Sequence, residues 1–214
     1  AAAPPPAGPP PPPPPPPPPN PAPPPHPTPP RPPAPPRAGA PRLIRAEAGM
    51  MAGMRVVIQR VSSAGVDVVD AATGEPDASF EPQRIGPGLV LLVAVSDDDG
   101  PEQISWTARK IANLRIFDDD EGRMNRSVLD VGGEVLSISQ FTLYGDVRRG
   151  NRPSFVAAGQ PDHARDVWLR LDEALRGHGL TVREGRFAAH MRVSLTNDGP
   201  VTIPLDTAVM ARPR

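Results

Sequence analysis

An α+β domain is predicted for residues 54–206 on three observations. Several short runs rich in Val, Ile and Leu are bounded by Gly, Pro and Asp, as strands are. Two longer stretches carry apolar residues at helical spacing, each opening on a proline. The strands read along the chain precede, separate and follow the two helices, as in an α+β domain.

Composition sets the domain limits. Of the 35 prolines in the chain, 26 stand at or before Pro41, with an unbroken run from Pro9 to Pro19. Such a segment cannot bury a core, so residues 1–53 are read as a proline-rich extension in polyproline II or disorder. It lacks the apolar centre of a secretory signal. Met54 is where strand patterning begins, and Met50, Met51 and Met54 are all candidate starts. Residues 207–214 read as a frayed tail. From Met54 onward there are 19 basic and 23 acidic residues, a net of −4, so a generally basic nucleic-acid surface is excluded. The densest cationic stretch is Arg148-Arg149-Gly150-Asn151-Arg152. With no cysteine there is neither a disulfide framework nor a thiolate metal site, and no run is long enough to span a membrane. A soluble, cytoplasmic protein is expected.

Taken in order, Arg55–Val61 and Gly65–Val69 read as two strands, and Asp70–Gln83 as a long surface loop or hairpin tip. After the turn Ile85-Gly86-Pro87-Gly88, Leu89–Val95 reads as a strand buried on both faces. Pro101 opens a helix to about Asn113 with Ile104, Ala108 and Ile111 inward and Trp106 at the margin. Leu114–Phe117 reads as a short strand followed by the acidic turn Asp118–Gly122, which lacks the interleaved ligand spacing of a calcium loop. Glu134–Ser139 is the next strand. A second helix runs from Pro161 to about Arg176 with Val167, Leu171 and Leu175 inward. Leu180–Arg183, Met191–Leu195 and Val201–Leu205 complete the strands. Pro204 removes a ladder donor, which suits an edge position or a face without a ladder partner, and Asn197–Thr202 between the last two reads as a hairpin corner.

Candidate chemistry is sparse. Ser139-Gln140-Phe141-Thr142 ends a hydrophobic strand, where a hydroxyl could attack and an amide or free backbone N–H could hold an oxyanion. No base accompanies it. His163 and His178 read as surface residues of a helix and its end, His190 as a solvated or satisfied histidine, and no zinc, phosphate-loop or nucleophile-elbow motif is present.

The paired stretches Ser139-Gln140-Phe141-Thr142-Leu143 and Asn197-Asp198-Gly199-Pro200-Val201-Thr202 resemble the two signature motifs of the D-aminoacyl-tRNA deacylase family. Supporting similarity covers Met54–Val61, Arg115-Ile116-Phe117, Met124-Asn125, Arg152-Pro153-Ser154-Phe155 and Gly185-Arg186-Phe187-Ala188-Ala189. The resemblance implies antiparallel and mixed sheets forming a barrel-like sandwich with two main helices on one face. It also implies a homodimer in which a cis Gly199-Pro200 pair enters the partner's pocket as a chirality filter, with Arg60 holding its carbonyls. Ser139, Gln140, Phe141 and Thr142 would form the catalytic stretch, with the Phe141 N–H as oxyanion donor. Met191, Asn197 and Thr202 would shape the pocket.

The implied substrates are D-aminoacyl-tRNA and glycyl-tRNA, without metal or cofactor. The ester is labile and the adjacent ribose 2′-OH can assist its hydrolysis, so orientation and oxyanion stabilisation suffice. Thr142 as covalent nucleophile is the competing mechanism. A non-catalytic tRNA-binding module, with the proline tail recruiting a polyproline-binding partner, is the alternative of another class. Three departures from the family pattern stand out: a longer loop at Ala71–Gln83, His190 where an acidic residue is expected, and Pro204 in the final strand.

Overall fold

A computed structural model describes residues 53–211. The expected proline-rich extension lies outside the described residues except for Gly53, as do residues 212–214 of the expected tail.

One long strand, β1 (Arg55–Val68), organises the sheet, where the sequence suggested two shorter ones. The break expected at Ser62-Ser63 is only a register irregularity, because the strand on the far side of β1 carries the ladder through it, with Ser63 opposite Thr196 and Ala64 opposite Leu195. On one side run β2 (Gln83–Ile85) and β3 (Gly88–Ala94), both antiparallel to β1. Ala64 faces Ile85 and Val61 faces Gly88, so Gly86-Pro87 interrupts what is in register a single returning strand. Only β3 was expected; β2 lies where a loop and turn were read. On the other side of β1 runs β8 (Met191–Asp206), an edge strand, which is the first of the two positions that Pro204 allows.

The order of the sheet continues from β3 to β6 (Glu134–Ser139) and β7 (Thr181–Glu184), each parallel to its neighbour. Each parallel step needs a crossover. The first contains α1 (Pro101–Asn113) and the second α2 (Pro161–Gly177). Successive crossovers of one hand in one direction put both helices on the same face. That face holds the larger core: Ile104, Ala108 and Ile111 of α1 and Val167, Trp168, Leu171 and Leu175 of α2 pack over Val56, Ile58, Leu89, Leu91 and Val135. Pro101 occupies the first turn of α1, and the Gly100 N–H donates to Gln103 Oε1 at 3.0 Å, so the helix starts where the sequence places it.

On the opposite face the sheet curls over a second cluster, Val61, Ala64, Val66, Ile85, Val90, Leu136 and Ile138, joined by Phe80 and Met191. A Cβ on Gly185, just beyond β7, would stand 2.6 Å from Met191 Sδ. The start of β8 therefore meets the end of β7 across the sheet, giving the nearly closed, barrel-like α+β arrangement. A small ribbon, β4 (Phe117–Asp118) with β5 (Met124–Arg126), completes the strands. The expected strand Leu114–Phe117 is thus displaced toward Asp118, and β5 was not anticipated. Asp119 accepts the N–H groups of Glu121 and Arg123 at 3.0 Å each, which makes the acidic stretch a self-capped turn.

The segment after β8 is not frayed. Thr207 is buried, donates its N–H to the Met54 carbonyl at 3.0 Å and begins a 3₁₀ turn, Thr207–Ala211. Asp99 accepts the Met54 N–H at 2.7 Å beside it, and Tyr144 donates to the Gly53 carbonyl at 2.5 Å. Both ends of the domain are therefore pinned together.

Candidate active site

The carboxyl ends of β3 and β6 point at a cavity of about 560 Å³. Strand ends are where side chains and unpaired backbone groups face open space together. Val93–Val95, Ile138, Ser139, Gln140 and Phe141 form one wall. Ala158, Gly159 and the first turns of α2 at Pro161, Ala164 and Trp168 form a second, and Phe187–Met191 with Val193 the third. Trp168 is fixed from behind, its Nε1–H donating to Ser137 Oγ at 2.8 Å.

The Gln140 N–H is used by Val93 O at 2.6 Å, which ends the ladder and turns the chain into a 3₁₀ segment, Phe141–Tyr144. The first donors of such a turn have no partner within it. Accordingly, the N–H groups of Phe141 and Thr142 have no acceptor among the described residues. Arg55 braces the segment, donating to the Leu143 carbonyl at 3.0 Å while its guanidinium lies over the Tyr144 ring. The Thr142 hydroxyl receives the Gln140 Nε2–H at 2.5 Å and does not line the cavity. Of the lining side chains only His190 is titratable.

Asn197–Thr202 forms a second cluster, and it is not a hairpin corner. Both arms of β8 run antiparallel to the same β1, with Thr202 opposite Gln59 and Asn197 opposite Val61. Residues 198–201 are therefore an excursion from one strand, a bulge on an edge. Asn197 closes its neck: Oδ1 accepts the Val201 N–H at 2.9 Å and Nδ2 donates to the Val201 carbonyl at 3.2 Å. The Gly199-Pro200 bond is cis and Gly199 has φ +123°. A Cβ there would lie 2.7 Å from Val201 Cγ2 and 3.1 Å from Arg60 Nη2.

Arg60, 6% exposed, donates Nε–H to the Asp198 carbonyl at 3.1 Å and Nη1–H to the Ile116 carbonyl at 2.7 Å. The carbonyl it holds is thus that of Asp198, one residue before the Gly-Pro pair expected from the resemblance. Asp118 and Asp198 carboxylates lie 3.4 and 3.6 Å from its nitrogens and balance its charge.

A family model described as D-Tyr-tRNA(Tyr) deacylase matches residues 57–206, which contain both clusters. The chain belongs to this family. D-Aminoacyl-tRNA deacylase of Bifidobacterium adolescentis is 68% identical over 154 residues, covering 72% of this chain and 97% of that protein. The protein of the same name from Deinococcus radiodurans is 51% identical over 153 residues, covering 72% and 99%. Among solved structures, a c-Myc DNA unwinding element binding protein is 37% identical with TM-score 0.61, over 71% of this chain and 97% of that one. A probable eukaryotic D-amino acid tRNA deacylase, 18% identical with TM-score 0.59 over 72% and 98%, shares the fold.

In this deacylase-family chain the cavity gathers Ser139, Gln140, Phe141 and Met191. Arg60, Gly199 and Pro200 are grouped away from it, and Gly199 and Pro200 are exposed. Asn197 and Thr202, expected at the pocket, do not line the cavity: Asn197 spans the bulge, and Thr202 Oγ1 receives its Nδ2–H at 3.3 Å. Trp168, Ala158, Gly159 and His190 are lining residues that sequence reasoning did not assign. The wall at Gly159 has no room for a side chain, since a Cβ would lie 3.0–3.2 Å from the backbone of residues 95–97, a constraint visible only in the fold.

Proposed function

We propose that the chain hydrolyses the ester of D-aminoacyl-tRNA, releasing the free D-amino acid and tRNA. One observation carries the reading: the Phe141 and Thr142 N–H groups, without an acceptor among the described residues, stand beside a cavity whose only titratable lining side chain is His190. Such a site can orient an activated ester and stabilise an oxyanion but has no paired acid and base of its own. The Phe141 N–H takes the developing oxyanion. Water bonds to the carbonyl carbon with assistance from the ribose 2′-OH, the bond from that carbon to the ribose ester oxygen breaks, and this oxygen takes up the proton that the water gives up. Thr142 is not the nucleophile in this scheme, which its engagement with Gln140 and its place outside the cavity support.

Stereochemical selection is assigned to a second copy of the chain. Exposed Gly199 and Pro200, held by Arg60 and Asn197 but outside their own cavity, suit insertion into a neighbour's. The edge strand β8, exposing Val193 and Leu195, supports a homodimer through this region. A filter that excludes an L side chain by clash leaves the D side chain unread and admits glycine, so glycyl-tRNA is also a substrate. Domain limits of 54–206, cytoplasmic residence and a polyproline-binding partner for the extension belong to the same proposal. Among the described residues no helix is long and apolar enough to cross a membrane.

Deacylation of D-tyrosyl-, L-tyrosyl- and glycyl-tRNA tests the reading. Hydrolysis of the D and glycyl esters with the L ester left intact is expected. Thr142→Ala retains at least about a tenth of the wild-type rate, whereas removing a catalytic nucleophile costs several orders of magnitude. A substrate lacking the terminal 2′-OH reacts poorly. Rapid L-tyrosyl-tRNA cleavage, or near-complete loss of turnover in a folded Thr142→Ala protein, contradicts the scheme.

A further inference from the structure

The cationic stretch noted in the sequence forms an arm beside the cavity. Its base is closed by reciprocal backbone bonds, Asp146 N–H to the Ser154 carbonyl at 2.8 Å and Ser154 N–H to the Asp146 carbonyl at 2.9 Å. Residues 147–154 are exposed, and Gly150 at φ +70° turns the tip. Both ends of the arm are tied to the cavity wall. Phe141 lies before it, and Phe155 directly after it meets the Phe141 ring edge-on at 5.1 Å. Ala158 and Gly159 then line the cavity.

The arginines of the arm are not equivalent. Arg148 donates to both oxygens of Asp146, at 2.9 and 2.7 Å, and its charge is matched. Arg149 and Arg152 make no hydrogen bond or ion pair among the described residues. Arg149 also acts electrostatically on Asp146, but both guanidinium groups are exposed with their donors unused beside an ester-sized cavity on an otherwise acidic domain, which suits an anionic partner that approaches the same opening. A phosphodiester backbone fits: guanidinium groups bind phosphate bidentately, and phosphate contacts fix the position of a nucleic acid without reading sequence.

We propose that Arg149 and Arg152 grip the phosphodiester backbone of the RNA whose aminoacylated end occupies the cavity. The arm thereby supplies sequence-independent affinity that the rest of the acidic surface withholds. The proposal rests on the deacylase reading for the identity of the RNA, but its test separates the two.

Arg149→Ala/Arg152→Ala is compared with wild type in three measurements. Binding of uncharged tRNA weakens about tenfold at low salt. The slope of log affinity against log salt becomes shallower by about 1.5, as loss of two phosphate contacts requires. In turnover, KM for D-tyrosyl-tRNA rises by a similar factor with kcat preserved, while 3′-D-tyrosyl-adenosine, which has the ester and no phosphate, is hydrolysed as by wild type. Lysine at both positions restores most of the salt slope. Unchanged tRNA affinity and salt slope overturn the arm's role, as does equal loss on tRNA and on the adenosine ester. Inertness of the wild type toward both esters strikes the deacylase reading, and the binding measurement still decides the arm.

Discussion

A buried cation and an amide set the shape of the Gly-Pro excursion. Arg60 ties it to the body through the Asp198 and Ile116 carbonyls, while Asn197 clips its neck across to Val201. The clip replaces ladder bonds that the bulge removes, since Asp198–Val201 find no partners in β1. Asn197→Ala leaves the Val201 N–H and carbonyl without these bonds and is expected to cost about 1–2 kcal/mol. Urea unfolding measures it: a lower midpoint with unchanged m-value is the expected result, and a wild-type midpoint would show that Asn197 does not hold the loop. The same variant, if the excursion filters chirality, cleaves L-tyrosyl-tRNA faster than wild type does.

At the scale of elements, the parallel pair β3–β6 carries the catalytic stretch and begins with a close approach. A Cβ at Gly88 would fall 1.9 Å from the Glu134 carbonyl oxygen, its register partner. Gly88→Ala must part the two strands and is expected to destabilise by about 2–3 kcal/mol, read from denaturant unfolding. A loss below about 0.5 kcal/mol would mean that the pair can open freely. Sequence alone located both helices and β6, because Pro101, Pro161 and Gly132-Gly133 mark their starts and the apolar periods are local. The continuity of β1 and β8 was hidden. Ser62-Ser63 and Gly199-Pro200 are punctuation by local chemistry, and only pairing between residues far apart in sequence carries the strands through them. Ser139–Phe141 was legible as a strand end, whereas Ala158-Gly159 was not, because small residues that shape a wall through their backbone advertise no chemistry. Nothing local in the sequence ties Arg60 to Asn197–Thr202, since its hydrogen bond to the Asp198 carbonyl spans 138 residues.

At the scale of the whole molecule, the described residues bury an ionisable group at the helix–sheet interface that neither cluster uses. Asp172 of α2 is fully buried, and neither carboxylate oxygen has a hydrogen-bond partner among the described residues. Burial pushes its pKa up to about 8; the nearby Ser137 hydroxyl and Arg176 act against the shift and Glu184 adds to it. Because the folded value lies above the unfolded one, near 3.9, the folded state holds the extra proton between about pH 4 and pH 8. Stability therefore falls as pH rises through that window, at up to about 1.4 kcal/mol per pH unit, and is lowest above the folded pKa. Asp99, raised by its own burial, contributes in the same direction, whereas the carboxylates lowered by hydrogen bonds, Asp70, Asp77, Asp119 and Asp130, act at the acid end. Asp172→Asn keeps the volume of the side chain and removes its charge. Unfolding in urea at pH 5, 6, 7 and 8 is expected to show a markedly flatter profile in this variant than in wild type, with the gap between them widening toward pH 8. Parallel profiles would mean that Asp172 is ionised in the fold with its charge matched. In that case the helix–sheet interface around Trp168 and Ser137 would have to be more polar than its packing implies.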